Sequence, residues 1–281
     1  MALVPTAELV AGAVRRGGAV AAVNVVTLEH AEAICAAAEA AGIGVILQIS
    51  ENAVRYHGGR LEPIAAAGAA VARLAAVPVS LHLDHVTDDT LVARAAEARF
   101  SSVMYDAGAL PHGENLARTA RAARVAHANG LWIEAELGHV GGKPDAPRSA
   151  HAAGVRTDPG EAEEYVSRTG VDALAVAVGS RHAMTARTAL LDTGLIGRLR
   201  DRLDVPLVLH GSSGVPDDQL RAAAEAGIRK VNVGTALGVA MTRSVRAVLA
   251  GDETLVDPRT YLAAAREAMS GTVGQLLSVL P

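Results

Sequence analysis

PVSLHLDH, residues 78–85, has the length and alternation of a buried strand, and it ends on two titratable side chains, Asp84 and His85. Two polar groups at the tip of an apolar strand cost free energy unless partners meet them. Seven further runs share this form: AVAAVNVV (19–26), GVILQIS (44–50), SSVMYD (101–106), LWIEAEL (131–137), DALAVAVG (172–179), PLVLHG (206–211) and KVNVG (230–234). Between them lie Ala-rich helical stretches such as EHAEAICAAAEAAG, ENLARTARAARVAHANG and PDDQLRAAAEAG, each closing on Gly where a helix C-cap wants one. Eight β and eight α units in alternation predict an α/β fold of the (β/α)8 TIM-barrel class, with residues 1–281 as one domain. The competing doubly wound sheet lacks its Gly-rich turn after the first strand.

Composition narrows the function. Half the residues are hydrophobic but only 2% are aromatic, so the core must be built from Ala, Val, Leu and Ile, which suits parallel strands buried on both faces. A net charge of -4 with scattered arginines gives no footprint for nucleic acid and favours a small-molecule partner. Cys35 is the only cysteine, which excludes an internal disulfide and a cysteine metal cluster; it reads as a small buried hydrophobe. No stretch has the length and apolarity of a membrane span, and the N-terminus lacks a signal-peptide pattern, so the expectation is a cytoplasmic protein with no membrane partner.

In a barrel of this kind the chemistry sits at the C-terminal strand ends. Those ends carry Asn24, then Gln48 and Ser50, Asp84 and His85, Asp106, Glu136, His182, His210 and Asn232. Three histidines on strands 3, 6 and 7 match an open catalytic zinc site with one position kept for water or substrate. Glu134 and Glu136 share a face of strand 5, where they can hold a second metal position or orient a ligand histidine. His30, His57, His112, His127, His139 and His151 fall on predicted helices or loops and read as surface or structural, while His82 has no assigned role. HGSSGVPDDQ (210–219) and VNVGTAL (231–237) run from strand to helix through glycines and hydroxyls, which is the chemistry of a phosphate cradle. A metal beside such a cradle suggests a phosphorylated substrate with a carbonyl to polarise.

Taken together, AAVNV, VILQISE, LHLDH, EAELGHVGG, TDPGEAEEYVSRTGVDALAVAVGSRH, LVLHGSSGVP, KVNVGTAL and DPRTYL make the chain resemble the class II, zinc-dependent ketose-bisphosphate aldolases over nearly its whole length. The resemblance implies that His85, His182 and His210 ligate Zn2+, that Asp84 exchanges a proton with the C4 oxygen, and that Glu136 and Asp106 hold the metal in an alternate position. It implies contacts to the dihydroxyacetone phosphate half from Gly211, Ser213, Asn232 and Thr235, with Asn24 nearby; Gln48 and Ser50 join the substrate-binding set, and Asn232 the catalytic one. Arg259 in DPRTYL resembles an arginine that reaches the second phosphate across a subunit contact, which implies a homodimer or homotetramer. The expected reaction is reversible cleavage of fructose or tagatose 1,6-bisphosphate to dihydroxyacetone phosphate and an aldehyde. A Schiff-base route would need a buried lysine at the active end, and of the two lysines Lys143 lies in the loop 138–160 and Lys230 is expected to begin strand 8 at the opposite end. Two departures stand out: Ala183 and Met184 replace the usual Gly and Tyr after the second ligand histidine, and the loop after GHVGG offers only Asp145 where paired acids are usual. They are the features that favour the alternative, a non-catalytic phosphate-binding homologue or partner subunit.

Overall fold

The computed structural model describes residues 3–138 and 156–280. Its strands are β1 (Val20–Asn24), β2 (Val45–Ser50), β3 (Val79–Val86), β4 (Ser102–Tyr105), β5 (Trp132–Leu137), β6 (Ala173–Val176), β7 (Leu207–Leu209) and β8 (Ile228–Val233). Each pairs in parallel with the next, and β8 returns to β1 through Ala22 opposite Asn232, so the sheet closes into a barrel. Closure removes every sheet edge and confirms the expected (β/α)8 architecture over the doubly wound alternative.

The helices among the described residues are α1 (Thr6–Arg16), α2 (Leu28–Ala41), α3 (Glu51–Tyr56), α4 (Leu61–Leu74), α5 (Asp89–Ala95) and α6 (His112–Ala128). They continue as α7 (Pro159–Thr169), α8 (Thr193–Arg202), α9 (Asp217–Ala226), α10 (Thr235–Gly251) and α11 (Pro258–Val279). Local chemistry sets their ends. Asp158 caps α7 ahead of Pro159 at the first helical position, and α1, α2 and α7 each stop on a glycine in the left-handed region. None is long and apolar enough to cross a membrane.

Alternation along the strands sorts side chains into two environments. Leu81 and Leu83 of β3 face outward into the large aliphatic core between barrel and helices, together with Val23, Leu47, Ile133 and Leu174. Cys35 is buried in that shell, where burial pushes its thiol up to about 12. Inside the barrel the composition changes with height. Near the N-terminal end Val20, Ala22, Ile46, Ala173, Ala175 and Val208 pack with Trp132; further up come His82, Glu134, Lys230 and Gln48, all buried.

Two elements depart from the sequence reading. Lys230 is the third residue of β8, because Ile228 already pairs with Leu207 of β7 and the register shifts past Arg229, which extends the strand downward. The side chain therefore enters the barrel interior instead of marking its far end. The second departure is α1, which precedes β1 and seals the barrel's N-terminal mouth with Val10 and Ala13 against Val20, Ala22 and Ile46. Thr6 fixes it there: its hydroxyl donates to Ser80 Oγ at 3.0 Å and accepts from Ser102 Oγ at 2.6 Å, while its N–H donates to Ser101 Oγ at 2.9 Å. A Thr6→Val substitution keeps the shape and strands these hydroxyls, so it should cost about 1–3 kcal/mol. The measurement is a thermal or denaturant melt, and an unchanged midpoint would show that the plug does not depend on them.

Candidate functional site

Adjacent residues of a strand face opposite sides of the sheet, yet Asp84 and His85 both line one cavity at the C-terminal mouth of the barrel. The backbone resolves the conflict. His85 takes a left-handed conformation with φ of 49°, and the pairing of β3 with β4 shifts register between Leu83 and Val86. This bulge turns the His85 ring inward beside Asp84. A non-glycine residue there carries about 1–2 kcal/mol of strain, the kind of cost concentrated at functional sites.

Each polar group at the β3 tip has a partner. Asp106 Oδ2 lies 2.8 Å from His85 Nδ1 and its other oxygen accepts from the Gly108 N–H at 3.0 Å, which leaves His85 Nε2 for the cavity. Asp84 Oδ2 accepts from Gln48 Nε2 at 3.0 Å. Asp106, expected at an alternate metal position, thus orients a histidine and is not among the clustered ligand atoms.

That cluster comprises His85, Glu136, His182 and His210, whose candidate ligand atoms lie within 4.8 Å of one another. The rings converge with centroids 5.1 Å apart for His85–His210, 5.3 Å for His85–His182 and 5.9 Å for His182–His210. His182 and His210 lie beyond the ends of β6 and β7, which are shorter than the sequence suggested. His210 is gripped on both sides, with Glu136 Oε2 2.7 Å from Nδ1 and Glu134 Oε1 2.7 Å from Nε2. Burial alone would strip its charge, but the two carboxylates outweigh it and hold the imidazole up at about 9. Burial likewise opposes the charge of Glu134, and Lys230 and His210 hold its carboxyl far below the ordinary range. For His85, Asp84 and Asp106 overcome desolvation and raise the ring's pKa.

This donor set fits a divalent ion. Three imidazoles and a carboxylate surround one point, each of His85 and His210 is backed by a carboxylate on the far nitrogen, and the 2.7 Å contact of His210 Nδ1 with Glu136 Oε2 stands where a cation would sit between them.

The cavity above the cluster encloses about 190 Å³. Asn24, Gln48, Asp84 and Asn232 form its floor, and Gly211, Ser213, Gly234 and Thr235 line the rest, with Gly234 against the Asn24 side chain. Gly211 has φ of 66°, and a Cβ there would sit 2.6 Å from the Arg181 carbonyl, so only glycine allows the turn to pass under the β6 loop. Ala183, at φ of 59°, keeps the left-handed backbone that a glycine would adopt freely.

Of the other expected residues, Ser50 lies outside this lining and caps α3 by accepting from the Ala53 N–H. Arg259, with 89% of its side chain exposed, pairs with Asp257 and is not among the residues lining the cavity. Asp145, His139 and His151 lie outside the described residues. Two titratable lining residues were not singled out beforehand as site residues. Arg181 is the only Lys or Arg among the described residues of the lining, and the sequence signal was its place beside His182. His30, expected to be structural, both faces the cavity and caps α2 through Thr27.

Residues 4–281 match the model of the family described as fructose-bisphosphate aldolase class-II. A fructose-bisphosphate aldolase of Geobacillus stearothermophilus is 40% identical over 274 residues, covering 97% of this chain and 95% of its own. A probable fructose-bisphosphate aldolase of Bacillus subtilis is also 40% identical, over 275 residues with the same coverage. Among solved structures, the YdjI aldolase from Escherichia coli K12 superposes with a TM-score of 0.83 at 29% identity, covering 99% of this chain and 97% of that one. A putative fructose-1,6-biphosphate aldolase from Coccidioides immitis gives 0.84 at 29% identity, covering 98% and 95%.

The raised pKa of His210 has a measurable consequence. With the His210 pKa raised to about 9, against about 6.5 unfolded, the metal-free protein has its full contribution from this group below about pH 6.5 and loses it as pH rises through 9. A metal ion competes with the same proton, so its affinity grows over that interval. The gap between the melting temperatures of metal-loaded and chelated protein should therefore widen from pH 6.5 to 9. A constant gap would mean that His210 does not exchange its proton for the ion.

Proposed function

The chain belongs to the class-II fructose-bisphosphate aldolase family, and on that premise we propose that it cleaves fructose 1,6-bisphosphate reversibly to dihydroxyacetone phosphate and glyceraldehyde 3-phosphate. It is a metal-dependent aldolase, a carbon–carbon lyase. The observation that carries the substrate reading is one cavity lined by Asp84, His85 and His182 together with glycines and hydroxyls, beside the buried His210.

We assign His85, His182 and His210 as the residues that hold zinc, with Glu136 as a further ligand. The ion supplies Lewis acidity to the carbonyl side of the ketose. Asp84 then does the proton work: its carboxylate takes the C4 hydroxyl proton as the C3–C4 bond breaks, and returns it in the condensation direction. Its position supports this, since Oδ2 is fixed by Gln48 and lies 3.9 Å from His85 Nε2, while the buried Oδ1 makes no hydrogen bond and lies 3.8 Å from His82 Nε2. Asn232 Nδ2 likewise has no protein partner, and this N–H donor is assigned to the oxygens on which negative charge develops. Gly211, Ser213, Gly234 and Thr235 receive the donor phosphate, with Arg181 lining the same cavity as a cation within reach of it.

The carboxylate that moves the C3 proton is assigned to Asp145 from sequence alone. Arg259, exposed and remote within its own chain, is assigned to the second phosphate in a neighbouring subunit of a homodimer or homotetramer.

The test separates the half-reactions. Dihydroxyacetone phosphate in deuterated water should lose its C3 proton, as followed by NMR, and a chelator should stop the exchange. Asp84→Asn should retain its metal and abolish cleavage of fructose 1,6-bisphosphate, a loss of about 10²–10⁴-fold. Exchange that survives chelation, or an Asp84→Asn enzyme with parental turnover, would contradict the assignment.

A further inference from the structure

Lys230 is buried beneath the cavity, and the proposed chemistry leaves it without a role. Its Nζ donates to Glu134 Oε2 at 2.8 Å, Asn232 Oδ1 at 2.9 Å and Gln48 Oε1 at 3.4 Å. An ammonium has three donors and no acceptor, so each neighbour must turn an oxygen toward it. For the two amides this decides the direction of everything above. With Oε1 held down, Gln48 spends its NH2 on Asn24 Oδ1 at 2.8 Å and Asp84 Oδ2 at 3.0 Å. With Oδ1 held down, Asn232 turns its NH2 to the cavity wall, where the buried Nδ2 has no protein partner. Asn24, its oxygen taken, is likewise left with N–H groups to offer.

We propose that Lys230 is a positioning residue that sets the hydrogen-bond polarity of the cavity floor, so that Asn232 and Asn24 present donors and Asp84 is held through Oδ2 by the Gln48 amide. The proposal rests on the aldolase reading and adds to it a residue that touches no substrate. Lys230 is not a Schiff-base nucleophile: all three of its donors are spent on oxygens, and it is absent from the cavity lining. Glu134 completes the arrangement by neutralising the ammonium on one oxygen and contacting His210 Nε2 with the other.

Removing Lys230 alone would leave Glu134 as an uncompensated buried charge, which is destabilising enough to threaten folding. The informative variant is therefore Lys230→Met with Glu134→Gln, which keeps volume and neutrality and leaves residue 134 an oxygen for His210 Nε2–H. The full-length double variant and the parent are compared by melting temperature, metal content and fructose 1,6-bisphosphate cleavage. The expected result is a folded protein with one metal ion per chain and parental KM, whose kcat falls by about 10²–10³-fold, the usual cost of a misdirected donor at a site of developing charge. A kcat within about threefold of the parent overturns the proposal, because the amides would then hold their orientation unaided. So do loss of the metal, a KM that rises as kcat falls, or failure to melt cooperatively; these would make Lys230 a support for the ion, for substrate binding or for the fold. The parent's own turnover tests the aldolase reading separately, since a parent that cleaves no ketose bisphosphate fails that reading whatever the variant does.

Discussion

The ion pair between Lys230 and Glu134, both fully buried inside the barrel, is the interaction on which the rest of the site depends. Bringing two charges into such an interior costs several kcal/mol per ion before their attraction is counted. The cost is met only because every donor and acceptor of the pair is used. Lys230 reaches three oxygens, and Glu134 reaches Lys230 and His210. From this pair one branch runs up β5 and β7 to the histidine cluster through His210. The other runs through Gln48 and Asn232 to the acid and the amides. A stability argument alone would favour filling this space with aliphatic side chains, as the layer beneath is filled. Specific orientation of the groups above is the reason it is polar.

The barrel makes that orientation possible. Parallel strands place alternate residues in a common interior, so side chains far apart in sequence meet at one height: Gln48 of β2, Glu134 of β5 and Lys230 of β8. At the mouth, strict alternation would have sent Asp84 and His85 apart. The bulge at His85 brings both inward, and the strain of a left-handed histidine is offset by the Asp106 contact on its ring. The site thus combines a rigid floor fixed by strands with ligands carried on the turns just past them.

Much of this was legible in the sequence. Eight apolar runs with polar tips fixed the barrel class, and three strand-end histidines beside Asp84 marked the cluster, because both signals are local. What escaped were relations between distant residues and backbone conformations with no residue signature. Nothing in LHLDH announces a positive φ at His85. Lys230 was read as the first residue of β8, at the end away from the chemistry; its partner Glu134 lies 96 residues away in the chain. Glu134 was read as an orienting carboxylate or a second metal position, and the geometry selects the first. Thr6 and the α1 plug escaped for the same reason, since their partners Ser80, Ser101 and Ser102 carry no signal until the barrel closes around them.

The account turns on His210 being held by Glu134 on one nitrogen so that the other faces an ion. Anomalous diffraction at the zinc edge from crystals grown with zinc tests this directly. The account predicts one peak about 2.0–2.1 Å from a nitrogen of each of His85, His182 and His210, with Nδ1 the ligand atom of His210 and Glu134 still bonded to its Nε2. A peak elsewhere in the molecule, no peak at all, or a His210 ring turned so that Nε2 meets the ion would contradict it.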